Sequence, residues 1–491
     1  MRPIRSSLLL LLLAALVPTA LAAQARTTLS LEEALEIARR NNPQYQQAIT
    51  GRTRAQAGTR AAYGALLPSA DASIGGSFRE GRPQFFGGVA FGATSDILSS
   101  SWNLSASSRL SWNTFNNIKR ANANLDAADA DVEAALFSLN NNVTGQYLLA
   151  LQTQARANLQ DTLVIQQRLQ LELAQARAGV GSATSLDVKR AEVSLGQQEV
   201  AALRARNTAE VERLRLFQQL GVPMPDGVEL SASLPMTVPN FQIGDLLETA
   251  RRENPTLAAV QARERAAQAG VRSARGEYTP TLSFSASVGA FTQSQTNVDG
   301  LIAQSQAQTL NARSSCFTTD SLRVGAGMPS IAGQCGAIAF TPEQEAAIRA
   351  NNDKFPFDFT RQPYNLSVGL SIPLFDGLGR ETRLQEANAA RADAAYSVRR
   401  QELQLTADVT SAQVTLVAAH RAVQLQERNA ATAREALQLA EERYRVGANT
   451  FVDLTTARAE YERAETDRID AIYEFHRAYA ALENAVGRTL R

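Results

Sequence analysis

The stretch Arg443-Tyr-Arg-Val-Gly-Ala-Asn-Thr-Phe-Val-Asp453 has an earlier echo, Arg177-Ala-Gly-Val-Gly-Ser-Ala-Thr-Ser-Leu-Asp-Val188, and the pair decides how the chain folds. Aligned on Val180 and Val446, the two share Arg, Val, Gly, Thr and Asp at matching places. Each lies between long, proline-free runs with apolar residues at helical spacing, so each reads as a tight turn between antiparallel helices. Gly181 and Gly447 supply the left-handed residue that ends one helix. Thr184 and Thr450 cap the next helix, and Asp187 and Asp453 three residues on complete a Thr-x-x-Asp box.

Outward from the tips, bulk properties narrow the class. At 491 residues the chain has room for several domains or one large duplicated architecture. Its 49 Lys and Arg against 48 Asp and Glu leave a net charge of +1, which gives no electrostatic case for nucleic acid. No interior apolar run approaches the ~18–20 residues of a membrane-spanning helix, so any membrane crossing must use strands. Arg2 and Arg5, the apolar run Leu8–Leu16 and the small-residue stretch Pro18–Ala25 read as a secretory signal over residues 1–23. Ala22, Ala23 and Ala25 are each candidates for the residue before the cut, and no Cys follows the apolar core, so no lipid anchor is expected. Cys316 and Cys335 lie close together in a loop-like stretch; in an exported protein they can pair, with two free thiols as the alternative.

The chain repeats itself. Ala38-Arg-Arg-Asn-Asn-Pro43 returns as Ala250-Arg-Arg-Glu-Asn-Pro255, Arg54-Ala-Gln-Ala-Gly58 returns as Ala266-Ala-Gln-Ala-Gly270, and Pro68 as Pro280. The expected layout is a first structural repeat over 24–220, a connector over 221–244 with Pro223, Pro225, Pro235 and Pro239, and a second repeat over 245–491. In the first repeat, Ser30-Leu-Glu-Glu33 is a capping box opening a helix to Arg40, and Asn42-Pro43 restarts helix to about Leu67.

After each of the matching prolines the period changes from helical to two. Leu282, Phe284, Ala286, Val288 and Ala290 alternate with Ser283, Ser285, Ser287 and Gly289, and Ala70–Phe78 is a weaker version. Trp102, Leu104, Ala106, Leu110 and Trp112 alternate with Asn103, Ser105, Ser107, Arg109 and Ser111. Leu366, Val368, Leu370, Ile372 and Leu374 alternate with small and polar residues. Strand pairs are thus expected over about 69–112 and 280–374, with the apolar-versus-serine pattern of an outer-membrane barrel wall. Trp102 and Trp112, ten residues apart, would span about 33 Å of strand, roughly 24 Å of height at a ~40–45° tilt, which matches membrane-interface aromatics on the two rims. Four strands cannot close a barrel, so the chain must oligomerise; two copies would give eight strands and three would give twelve. The longer inter-strand loop, 292–363, holds both cysteines and a short helix capped by Thr341 with Gln344.

Helix follows each strand pair. The runs Asn116–Ala178 and Asp376–Arg445 would each be on the order of 100 Å, while the returns Ser185–Leu220 and Phe451–Val486 are about half that. In the last helix Leu454, Ala457, Tyr461, Ala464, Arg468, Ala471, Phe475, Ala478, Leu482 and Ala485 step by three and four, a packing seam of coiled-coil type.

In this combination and order the sequence resembles the TolC-like outer-membrane efflux proteins. The features that carry the likeness are the duplication, the Asn-Pro motifs, the strand-exit turn Leu370-Ser-Ile-Pro-Leu-Phe-Asp-Gly377 and the two tips, and they cover nearly the whole mature chain. The resemblance implies a fold that is mainly α with membrane β. A duplicated helical-hairpin and strand-pair repeat would form a trimeric 12-stranded β-barrel continued by a 12-helix α-barrel. It implies an exit duct in the outer membrane of a Gram-negative type envelope, a homotrimer in outer-membrane lipid serving an inner-membrane pump through a periplasmic adaptor protein, in efflux or type I secretion. By position, Val180, Gly181, Val446 and Gly447 are the adaptor-facing turns, and Tyr444, Asp453 and Asp187 the pore constriction or gate candidates. Two positions depart from the family: a second acidic residue is Thr456 here and a basic position holds Asn449, so the resemblance implies a weaker gate or one that closes differently.

Asp187 and Asp453 also have a purely structural reading as cap residues, and under threefold symmetry the two readings are compatible, since a capping carboxylate would still ring the mouth. His420 and His476 lie in separate helices with no ligand or triad spacing, and nucleotide-binding signatures are absent, so neither catalytic residues, metal nor cofactor are expected. The competing reading, a structural or adhesive coiled-coil envelope protein on a small β anchor, does not call for two strand pairs each returning through a helical hairpin.

Overall fold

The structure, a computed structural model, describes residues 28–82, 84–91, 95–231, 236 and 241–490; the export signal and Pro235 and Pro239 of the connector lie outside them. In chain order the elements are β1 (Thr28–Leu29), α1 (Leu31–Asn41), α2 (Pro43–Gly64), β2 (Ser69–Arg79), β3 (Gln84–Phe86), β4 (Val89–Phe91), β5 (Ile97–Ser111), α3 (Trp112–Gly179) and α4 (Ser185–Leu220). There follow β6 (Glu229–Leu230), α5 (Ile243–Glu253), α6 (Pro255–Gly276), β7 (Thr281–Gln295), α7 (Val298–Gly325), α8 (Ala332–Gly336) and α9 (Pro342–Asn352). The chain closes with β8 (Thr360–Arg361), β9 (Asn365–Ser371), α10 (Gly379–Arg445) and α11 (Phe451–Val486). Among the described residues no helix is long and apolar enough to cross a membrane.

The chain divides into two compact units. The first comprises the described part of Met1–Ala55, Asn124–Arg265 and Ala392–Arg491. Its core is in two related parts. In one, Ala34 and Ala38 of α1 pack with Leu139, Val143, Tyr147 and Leu151 of α3 and Leu216, Phe217 and Leu220 of α4. In the other, Leu246 and Ala250 of α5 pack with Leu405, Val409 and Leu416 of α10 and Phe475, Ala478, Tyr479 and Leu482 of α11. The seam read from α11 is half realised as full burial: Leu454, Ala471, Phe475, Ala478, Leu482 and Ala485 are buried, the other four partly so.

The Asn-Pro motifs explain how two short helices meet the end of a third. Asn42 lies between α1 and α2; its Oδ1 accepts from the backbone N–H of Gln44 (2.9 Å) and Tyr45 (3.1 Å), while its Nδ2 donates to the Gln219 carbonyl at the end of α4 (2.7 Å). Asn254 does the same between α5 and α6, accepting from Thr256 and Leu257 and donating to the Ala485 carbonyl (3.1 Å). Proline next in sequence has no N–H to lose at a helix start. The capped helices end on left-handed Gly221 (φ 77°) and Gly487 (φ 95°). A Cβ there would lie 2.5 Å from the Asn41 carbonyl oxygen or 2.6 Å from the Asn254 Cα, so both conformation and space demand glycine.

The connector is more than an extended link: Glu229–Leu230 pairs in parallel with Thr28–Leu29, and the Tyr147 hydroxyl donates to the Leu29 (2.8 Å) and Ser231 (2.9 Å) carbonyls. Burial pushes the Tyr147 phenol up to about 12, so it remains a neutral donor.

The second unit, Gln56–Ala123 with Ala266–Arg391, is built on an antiparallel sheet in the order β2-β5-β7-β9, with β8 a further short partner of β7. The register keeps like with like. Ile74, Trp102 and Ala290 form one row, Ala72, Leu104 and Val288 the next, then Ala70, Ala106, Ala286 and Leu366, with Leu110, Leu282 and Leu370 near the helix-bearing end. The other face is a serine wall in which hydroxyls bond across strands, at Ser69–Ser107 (3.0 Å), Ser77–Ser99 (2.7 Å) and Ser285–Ser367 (2.6 Å). Much of the apolar face is exposed, with Ile74 at 76% and Leu366 and Val368 at 69%, whereas Ala290 is buried and Trp102 half-buried.

Several boundaries differ from the sequence reading. Trp112 does not end the strand but begins α3, because the side chains and backbone N–H groups of Ser111 and Thr114 cap one another and start the helix there. It stacks at a tilt on Phe115 (6.2 Å), so the two tryptophans do not mark one strand face. β9 stops at Ser371 and not Leu374, since Pro373 brings no N–H to the ladder. The turn that follows is held by buried Arg380, which donates to the Pro373 carbonyl (2.9 Å) and lies over the Tyr278 ring (4.9 Å). β5 starts at Ile97 after the short β3–β4 hairpin. The cysteines sit not in loop but in α7 and α8, where Cys316 and Cys335 are disulfide-bonded with Cα atoms 5.5 Å apart; α9 carries the box of Thr341 and Gln344.

Candidate functional site: the hairpin tips

In the first unit both tips have the same construction. Gly181 (φ 74°) and Gly447 (φ 81°) are left-handed, and the next residue donates back across the turn, Ser182 to the Arg177 carbonyl (2.8 Å) and Ala448 to the Arg443 carbonyl (2.8 Å). Glycine frees these positions from a strain of roughly 1 kcal/mol that a side chain would bring. Val180 and Val446, just before them, are 80% and 77% exposed, so each tip presents one bare aliphatic side chain.

Both capping boxes are closed. Thr184 Oγ1 accepts from the Asp187 N–H (3.2 Å) while Asp187 Oδ2 accepts from the Thr184 N–H (3.1 Å); at the second tip Thr450 and Asp453 do the same at 3.2 and 2.9 Å. The threonine hydroxyl and then its backbone N–H hold both carboxyls below the usual aspartate value. Both remain ionised near neutral pH, and Asp453 keeps its second oxygen toward solvent.

Tyr444 is the exception to an exposed tip. It is buried among Ala174, Ala191, Leu437, Ala440 and Leu454, edge-on to Phe451 (6.2 Å). Burial raises its pKa. Arg177, from the other hairpin, lies over its ring (4.7 Å) and donates to its backbone carbonyl (2.7 Å), while also reaching Ser182. The two tips of one chain are therefore tied by Arg177, a residue that the tip motif contains but to which spacing alone assigns no partner. A second tie stands further along α11. Arg458, buried beside the seam residue Ala457, donates to Glu441 of α10 (2.8 Å) and Gln167 of α3 (3.0 Å), beside an open cavity of about 640 Å³. It lies off the three-four seam, so the sequence spacing does not single it out.

The remaining candidates are scattered. Trp102 is on the apolar face of the sheet and half-buried, and Trp112 is exposed at the start of α3. His420 and the buried His476 both flank Phe475, at ring distances of 5.8 and 5.3 Å. Among the described residues no group of three or more His, Cys, Asp or Glu is placed to hold a metal ion.

A serine-lined sheet with a bare apolar back, continued in sequence by long helical hairpins, defines a channel-type protein of an outer membrane. A profile of the outer membrane efflux protein family matches residues 34–222 and 344–488, more than half of the chain. The chain belongs to that family and is an outer membrane protein; its relatives are channels, not enzymes. The pyoverdine export outer membrane protein OpmQ of Pseudomonas putida is 25% identical over 474 residues, covering 93% of this chain and 85% of its own length. The fold is that of the Campylobacter jejuni CmeC outer membrane channel (TM-score 0.70, 14% identity, 93% of this chain and 85% of that one). It is equally that of the Vibrio cholerae outer membrane protein VceC (TM-score 0.67, 17% identity, 94% and 97%).

Proposed function

We propose that this protein is the passive exit duct of a tripartite efflux or type I secretion assembly. The observation that carries this is the sheet. It has four principal strands, a largely exposed apolar face, and free edges on β2 and β9, both exposed along their whole length. Free edges must pair, and bare aliphatic rows must leave water. Three copies joined β9 to β2 would make a closed twelve-stranded wall with serine inside and lipid outside, and the hairpins would continue it as a twelve-helix tunnel of two similar repeats per chain.

In this reading the tips close the periplasmic mouth. Val180-Gly181 and Val446-Gly447 are the surface offered to an adaptor protein, and Asp187 and Asp453 set a cation-attracting charge there. Arg177 replaces the missing basic residue at Asn449 as the bond that keeps the hairpin tips together. OpmQ is named for pyoverdine export; a small exported molecule chosen by the pump is the corresponding cargo here. The native mass of the protein extracted by detergent from outer membranes tests the closure. A trimer is expected, and a monomer in the soluble periplasmic fraction would end the channel reading.

A further inference from the structure

The segment between α9 and β8 lies where the strand alternation would not put it. Asn352 anchors its start to β7, accepting from the Gln295 N–H (2.6 Å) and donating to the Gln295 carbonyl (3.2 Å). The chain Asp353-Lys-Phe-Pro-Phe-Asp-Phe359 then reaches Thr360–Arg361, which pairs with Phe291–Ala290, and Gln362 donates to the Gly289 carbonyl (2.8 Å). Between these anchors it crosses the apolar face: the Ser100 hydroxyl donates to the Pro356 carbonyl, and Ser100 lies on that face between Leu98 and Trp102. Backbone bonds from Asp358 to Lys354 (2.9 Å) and Phe359 to Phe357 (3.1 Å) hold it as a turn. Phe357 is 78% exposed, and Arg361 shares the row of Ile74, Trp102 and Ala290.

We propose that this strap is an interfacial membrane anchor, seated at the headgroup–acyl boundary of the outer leaflet, with Phe357 among the lipids, Lys354 at headgroup level and Arg361, one row deeper, extending its side chain up to that level. The proposal rests on reading the sheet as a barrel wall whose apolar face meets lipid. Position favours lipid over water or a protein partner. From Leu110 to Ser100 is ten residues of β5, about 34 Å of strand and roughly 25 Å of height at a ~40–45° tilt, the thickness of the apolar band of an outer-membrane barrel. The strap thus crosses at the upper limit of that band, continuous with exposed apolar rows below it. Aromatic rings beside charged groups are what that boundary accepts best, and the charges of Asp353, Lys354, Asp358 and Arg361 offset one another. The outer aromatic belt of this wall then joins Phe357 of the long inserted loop to Trp102 and exposed Phe78 of the strands.

Depth-resolved quenching tests it. In a Trp102→Phe, Trp112→Phe background, single tryptophans are placed by Phe357→Trp and, near the middle of the apolar face, Leu104→Trp. The full-length protein is reconstituted in phosphatidylcholine brominated at shallow or deep acyl positions. The strap requires Phe357→Trp to be quenched more by shallow than by deep bromines and Leu104→Trp to show the reverse order. Quenching of Leu104→Trp with none at Phe357→Trp overturns the anchor and leaves the wall standing, and so does deep quenching at both. Absence of quenching at Leu104→Trp overturns the wall and the anchor with it.

Discussion

Removing the Arg177 side chain tests the closure of the mouth most directly. Arg177→Ala deletes a charge-assisted bond to the Tyr444 carbonyl and a cation–ring contact, both between hairpins and both only partly shielded from water. Such a bond is worth about 1.5 kcal/mol and such a contact about 0.5 kcal/mol at a partly exposed site, so the loss is about 2 kcal/mol per chain, or roughly 30-fold in the balance between joined and parted tips. Purified trimer in planar bilayers should pass from rare openings to frequent ones. Arg177→Lys, which retains charge without the planar fork, should fall between the two. Tyr444→Phe should conduct like wild type, because Arg177 grips the ring face and the backbone, not the hydroxyl. If Arg177→Ala remains trimeric, retains its helical signal and conducts as wild type, the tie is not a latch. Opening by Tyr444→Phe alone would place the latch at the phenol.

Four further outcomes follow. Asp453→Ala should raise leak conductance by loosening the cap and removing charge at the mouth; an unchanged or smaller conductance counts against a gate there. Because hydrogen bonding lowers the carboxyl pKa values of Asp187 and Asp453 on folding, their stabilisation is complete above the ordinary aspartate value and lost only as pH falls through the lowered one. Tip conductance should therefore be flat between about pH 6 and 8; a transition within that window would have to come from other groups. Gly447→Val puts a β-branched side chain at φ 81° and should weaken capture of a purified adaptor protein without changing trimer mass. Reducing the Cys316–Cys335 bond opens a loop with a sequence separation of 19, worth about 3 kcal/mol of loop entropy, and should expose residues 317–334 to protease while conductance remains unchanged.

Much of the architecture is legible because its ends are punctuated. The return helices run Ser185–Leu220 and Phe451–Val486, the bounds read from sequence, since Thr184 and Thr450 open them and Gly221 and Gly487 close them. The strands are legible from the serine alternation, but their neighbours are not: β5 pairs with β7 across more than 160 residues, and no local pattern encodes that. Helix α7 escapes a periodicity search because its middle is polar and exposed nearly all round, with Gln, Ser and Thr on every side. At the tips the local chemistry of caps and glycines is visible, whereas the partners of Arg177 and Arg458 are hundreds of positions away or on another hairpin. Tyr444 enters the sequence reading as a constriction candidate by resemblance; its burial among Ala174 and Ala191 of the first hairpin and Leu437, Ala440 and Leu454 of its own is a contact that the motif does not encode.

The free edges of the sheet bear on how the protein reaches its membrane. Along β2, eleven residues long, roughly every second residue turns its N–H and C=O away from β5, and β9 does the same on its outer side. In hydrocarbon each such unpaired group costs several kcal/mol. A lone chain therefore has no stable place in the bilayer, and a half-built pair exposes as many bare groups as a single chain. On the proposed three-chain closure, biogenesis would join the chains before or during their passage into lipid, so membrane integration and ring closure would be one kinetic event, and subunits of a finished duct should not exchange.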